Sequence, residues 1–133
     1  MNDVKFHHYG LAVSRFDEAL IFHRNLGYIC STPVIDKEQD VELILCVAEK
    51  YPTVELVRPI NNNSPIITYL RENNEIIYHV CYEVTKPKDT IQILMKKNRA
   101  ICVREPRPAI IFDNRLVSFY YVKNVGLIEI LEK

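Results

Sequence analysis

The first strong pattern is an alternation. In "KFHHYGLAV", Tyr9, Leu11 and Val13 fall on one side of an extended chain and His8, Gly10 and Ala12 on the other. The period then becomes helical in "SRFDEALIFHRNLG", where Phe16, Ala19, Leu20, His23 and Leu26 share a face. Ser14 with Asp17 three residues on resembles a capping box, and Gly27 stands where a left-handed C-terminal residue is expected. "YICSTPV", "DVELILCVA" and "TVELVRP" read as strands. The polar connector "NNNSPIITYLRENNE" predicts a short helix starting at Ser64 and Pro65.

The same order then returns. "IIYHVCYEV" reads as a strand and "TKPKDTIQILMKKN" as a helix, with Pro87 in its first turn and Lys96 and Lys97 in its last. "AICVREP", "LVSFYYV" and "GLIEILE" are three further strands. The chain therefore predicts an α+β fold of two tandem βαβββ modules forming a curved, partly closed mixed sheet. One domain covers residues 1–133, with module one at about 1–60, a connector at about 61–75 and module two at about 76–133.

Chemistry-bearing residues repeat with the modules. His8 and His79 occupy matching first strands, 71 residues apart, and Glu55 and Glu129 matching last strands, 74 apart. Alternation places His8, Glu55, His79 and Glu129 on the face that no helix covers. In "DVELILCV" it assigns Val41, Leu43, Leu45 and Val47 to the packed side and Glu42, Ile44 and Cys46 to the free one. Two imidazoles and two carboxylates in one cavity suit a divalent ion such as Zn²⁺, Ni²⁺, Co²⁺, Fe²⁺ or Mn²⁺. Without an ion, two enclosed carboxylates repel until one takes a proton.

Composition narrows the class. Lys plus Arg and Asp plus Glu both number 17, so no net field recruits nucleic acid or anionic lipid. No apolar run approaches the roughly 20 residues of a membrane span. The start "MNDVKFHHYG" lacks a signal-peptide core, so the expected compartment is the cytoplasm. Three glycines offer no phosphate-cradling loop, and four dispersed cysteines read as reduced, buried thiols rather than disulfides or a zinc knot.

Other polar residues have plainer expectations. His7 has the packed parity, and His23 lies on the helix's inner face. Glu83 and Glu132 sit at strand ends and are expected in solvent. Cys46 and Cys81 face the cavity but have no base beside them. Arg58, Arg104, Arg107 and Arg115 read as solubilising cations. Asn114 and Arg115, at the cavity rim, are the candidates for binding an anionic substrate.

The stretches "HHYGLAV…F…NLGY", "VELVRPI…SPI", "YHVCYEV" and "GLIEILE" together resemble the vicinal oxygen chelate superfamily over essentially the whole chain. This family includes glyoxalase I, methylmalonyl-CoA epimerase, extradiol dioxygenases and the bleomycin and fosfomycin resistance proteins; the nearest likeness is to the epimerase and glyoxalase I branch. The resemblance implies one divalent metal (Zn, Ni, Co or Mn) held by His8, Glu55, His79 and Glu129. It implies proton removal α to a carbonyl, with Glu129 as ligand and base, and Glu42 is the candidate second base. The implied activity is that of a metal-dependent isomerase, epimerase or lyase (lactoylglutathione lyase in the glyoxalase I case). Substrates would be an acyl-CoA or a glutathione hemithioacetal, and the chain is expected to form a homodimer. The alternatives are a metal-free binding protein of the resistance type and, behind it, an extradiol dioxygenase.

Overall fold

The computed structural model describes residues 3–133. In order, the elements are β1 (Val4–Val13), α1 (Asp17–Asn25), β2 (Ile29–Cys30), β3 (Val34–Asp36), β4 (Val41–Val47), β5 (Thr53–Pro59), α2 (Ile67–Leu70), β6 (Glu75–Val84), α3 (Pro87–Lys97), β7 (Ala100–Ala109), a 3₁₀ turn (Ile110–Phe112), β8 (Arg115–Val122) and β9 (Gly126–Glu132). The mixed α+β class is as the sequence predicted. The described residues divide into two compact units, one of His8–Tyr78 and one of His79–Lys133 with residues 3–7.

In the first unit β1 runs parallel to β5, β5 antiparallel to β4, and β4 pairs with both β2 and β3. The core holds Val13, Phe16, Tyr28, Ile44, Cys46, Val54 and Leu56, with Ala19 and Leu20 of α1 packed against it. Helix α1 begins three residues after Ser14, at Asp17, and no side chain caps it. The burial of Phe16, whose carbonyl accepts from Leu20 N at 2.9 Å, sets this start instead of the expected capping box. Gly27 takes φ +103°, the left-handed stop that the sequence predicted.

Two local expectations are corrected. "YICSTPV" is not one strand: β2 stops at Cys30 and β3 begins at Val34, because Pro33 has no N–H for a ladder and Ser31 turns its hydroxyl to Leu45 N at 3.0 Å. The parity assigned to "DVELILCV" is reversed. Ile44 and Cys46 join the core beneath α1, and Leu43 and Leu45 face the other way. This strand is apolar on both sides (Leu43 is 3% exposed, Ile44 0%), so alternation alone carries no direction. The connector helix α2 forms, but at Ile67, with Ser64 buried ahead of it.

The second unit repeats the topology: β6 is parallel to β9, and β9, β8 and β7 follow antiparallel. Its core of Val84, Ala100, Tyr120, Val122, Ile128 and Ile130 takes Ile91 and Leu94 from α3. Pro87 opens α3 and Lys96 and Lys97 close it, as expected. Residues 3–7 count with this unit rather than with module one, since Asp3 O accepts from Thr85 N at 3.0 Å and Phe6 meets Tyr82 edge-on.

Leu56 follows Glu55 and Ile130 follows Glu129, and each is almost wholly buried in its own unit's core. Leu56→Ala and Ile130→Ala are each expected to lower stability by about 2–5 kcal/mol. Urea unfolding monitored by circular dichroism checks this.

Candidate functional site

Register places the histidines and glutamates. In the first unit Gly10 of β1 lies opposite Glu55 of β5, and His8 stands two residues before Gly10 on the same face. Its Nε2 comes to 3.8 Å from Glu55 Oε1. In the second unit Cys81 of β6 lies opposite Glu129 of β9, with His79 two residues before Cys81. Here Nε2 and Oε1 are 3.1 Å apart. The same offset on the same kind of parallel pair makes an imidazole–carboxylate couple twice.

All four side chains are withdrawn from water: His8 is 0% exposed, His79 2%, Glu129 3% and Glu55 4%. The face without a helix is thus a second buried face and not a solvated one. Strands antiparallel to the glutamates supply its walls. Leu45 pairs with Glu55 and Phe119 with Glu129, and the Phe119 ring stands edge-on to His79 with centroids 5.5 Å apart. These apolar neighbours lower the local dielectric and strengthen each couple.

Glu42 does not join this face. Its cross-strand partner is Arg58, on the α1 side of the sheet, and the guanidinium holds Glu42 Oε1 at 2.6–2.7 Å. Arg58 also lies over the Phe16 ring at 5.5 Å. The role of second base expected for Glu42 fell with the β4 parity, and Arg58 is a structural partner rather than a free surface cation.

Asn114 and Arg115 are also differently engaged. Asn114 is an exposed turn residue at φ +64° whose N–H donates to Ala109 O. Arg115 donates through Nε to Glu132 O at 2.9 Å and through a terminal nitrogen to Glu83 at 2.6 Å. Glu83, expected in solvent, shares the parity of His79 and Cys81. The Arg115 guanidinium holds its carboxyl below the usual value against the opposing effect of burial, helped by His7 and Lys133. That alternation was the sign in the sequence that Glu83 belongs to the inner face.

The remaining candidates behave as structural residues. His7 packs edge-on to Phe112, and His23 is buried with Nδ1 2.7 Å from Ala19 O. Cys81 is fully buried on the inner face, whereas Cys46 lies on the α1 side, contrary to its expected place. The sequence did not disclose an open groove of about 860 Å³ in the first unit, lined by Leu26, Ile29, Leu45, Val47 and Tyr51 together with Glu49 and Lys50. One of its lining residues, Leu45, is the register partner of Glu55.

A family model described as the glyoxalase/bleomycin resistance protein/dioxygenase superfamily matches residues 7–119. A Dictyostelium discoideum protein named mitochondrial methylmalonyl-CoA epimerase is 28% identical over 133 residues, covering 97% of this chain and 78% of that protein. The crystal structure of methylmalonyl-CoA epimerase from Mycobacterium tuberculosis superposes with a TM-score of 0.81 at 23% identity, covering 96% of this chain and 86% of the other. A variant of the Streptomyces coelicolor methylmalonyl-CoA epimerase, in complex with 2-nitronate-propionyl-CoA, reaches a TM-score of 0.83 at 19% identity, covering 98% of each chain. At these identities the structural likeness is one of fold.

The Glu83–Arg115 pair has a pH signature. Because the carboxyl is held below its ordinary 4.5, its contribution is present above that value and is lost as pH falls through the lower folded value. Glu83→Gln is expected to cost about 1 kcal/mol at pH 7, discounted for the partial exposure of Arg115. The gap from the unaltered protein should close in acid, which urea unfolding at pH 7 and at about pH 3 measures.

Proposed function

The chain belongs to the glyoxalase/bleomycin resistance protein/dioxygenase superfamily, and we propose that within it this protein is a divalent-metal-dependent epimerase acting on an acyl-CoA. The observation that carries the proposal is the duplicated, buried His–Glu couple. Two donor atoms that each sit about 2.0–2.2 Å from one ion stand about 3.0–3.5 Å apart; the 3.1 Å couple falls within that spacing and the 3.8 Å couple slightly beyond it. The donors are imidazole nitrogen and carboxylate oxygen, a set that accepts Zn²⁺, Ni²⁺, Co²⁺ or Mn²⁺. In this reading His8, Glu55, His79 and Glu129 together hold one ion.

Such an ion, when bound, supplies a Lewis acid that stabilises negative charge developing at a thioester carbonyl. The rest of the chemistry belongs to the chain. His8 and His79 present Nε2, and β-strand register with the Phe119 ring keeps the His79 imidazole oriented. The Glu129 carboxylate is the base that takes the proton from the carbon next to the carbonyl. It stands almost wholly out of water. Glu42 is bound to Arg58 on the far side of the sheet and supplies no second base, so the proton returned to the opposite face of the carbon comes from solvent water. The groove lined by Leu45 offers a path for a long thioester arm, with Glu49 and Lys50 also among its lining residues.

Named relatives that are epimerases favour this substrate class over a glutathione hemithioacetal, and one of them is described with 2-nitronate-propionyl-CoA. A complete donor set favours an enzyme over a metal-free binder.

Purified protein incubated with methylmalonyl-CoA in deuterium oxide is expected to exchange the α-proton and interconvert the epimers. Chelation should stop it, and His79→Ala should lose bound metal with at least about a 100-fold fall in kcat/KM. Full exchange in that variant, metal absent, would sink the proposal.

A further inference from the structure

We propose that Cys30 and Cys46 form a reversible disulfide, making this edge of the first unit a site of oxidative modification by a peroxide. The two residues are direct register partners on β2 and β4. At the next position Ser31 N donates to Leu45 O at 2.8 Å and Leu45 N to Ser31 Oγ at 3.0 Å, so the Ser31–Leu45 position is the hydrogen-bonded one. Narrow and wide pairs alternate along an antiparallel ladder, which leaves Cys30–Cys46 as the non-hydrogen-bonded pair, with Cα atoms about 4.5 Å apart. That separation lies within the range a disulfide spans. Both thiols are free and their sulfurs are already in contact at 2.7 Å.

The two thiols are unequal in access. Cys30 is partly exposed on a two-residue edge strand, while Cys46 is fully buried behind it. Burial and the neighbouring Cys30 push the Cys46 thiol up, so Cys30 reacts first. Its thiolate attacks one oxygen of hydrogen peroxide, breaking the O–O bond to give a sulfenic acid and hydroxide. The Cys46 sulfur then attacks the sulfenic sulfur. The S–S bond forms, the S–O bond breaks, and the Cys46 proton leaves with the departing oxygen as water. Two thiols and one peroxide become one disulfide and two waters, and a dithiol reductant reverses it.

The link would tie the short β2, cut off by Pro33, to the central β4. Ile29 and Val47, the adjoining pair, line the apolar groove, so the oxidised form fixes that wall. The site rests on neither the metal nor the epimerase reading.

The test treats the full chain with hydrogen peroxide, alkylates remaining thiols and maps peptides by mass spectrometry beside a melting curve. Expected are a peptide pair joining Cys30 and Cys46, lighter by about 2 Da, and a Tm higher by about 5–10 °C that a dithiol abolishes. Cys30→Ser, an edge substitution that leaves Cys46 buried, should show neither. Three results would overturn the proposal: a cross-link through Cys81 or Cys102, Cys30 oxidised to sulfinic acid beside an intact Cys46 thiol, or a Tm unchanged by peroxide.

Discussion

Everything at the site depends on a single constraint, the register between two parallel strands. In β1 with β5, and again in β6 with β9, the residue two after the histidine lies opposite the glutamate. A slip of one residue in either pair would turn the carboxylate to the helix side and leave the imidazole facing an apolar residue. The helices enforce the register indirectly. Leu56 and Ile130 sit next to the glutamates but on the opposite face, and burying them under α1 and α3 fixes which way Glu55 and Glu129 point. Core packing on one face of each sheet thereby positions polar chemistry on the other.

That arrangement carries an electrostatic cost. An ionised carboxylate deep in protein is strongly disfavoured unless something compensates it. Each glutamate has an imidazole within 3.8 Å or less, and the couples stand among Leu45, Val57, Phe119 and Leu131, which add no compensation of their own. An imidazole must be protonated to offset a carboxylate, whereas a divalent ion offsets one with the imidazole neutral.

Much of this was readable in the chain. The order of strand, helix and further strands in each half, Gly27 as a helix stop and Pro87 as a helix start follow from local rules and recur in the structure, with one strand more than expected in the first half; His8 stands near Glu55 and His79 near Glu129. Where the reading failed, the local rule had no purchase. Alternation gives direction only to a strand with one apolar side, and "VELILCV" is apolar on both, so Glu42 was turned the wrong way. Ser14 satisfied a capping pattern, but the burial of Phe16 outweighed it and moved the helix start. Glu83 was taken for a solvated group and Arg115 for a rim cation awaiting a substrate, because their partnership spans 32 residues and no local pattern announces it. The connector helix and the groove beside Leu45 depend in the same way on contacts that periodicity does not encode.

The two units share a topology but do not present equivalent surfaces. The first keeps its Arg–Glu pair, Arg58 with Glu42, on the α1 side, so its inner face runs outward as apolar surface from Leu45 to Val47 and Ile29. The second places its pair, Arg115 with Glu83, on the inner face, where charge and hydrogen bonds to β9 occupy the strand ends. Gly10 opposite Glu55 is matched by Cys81 opposite Glu129, so the backbone beside the first glutamate is bare where the second carries a thiol. Duplication explains why two His–Glu couples exist. Divergence at these few positions leaves the inner face of the first unit apolar at Leu45, Val47 and Ile29 and puts a charged pair on that of the second.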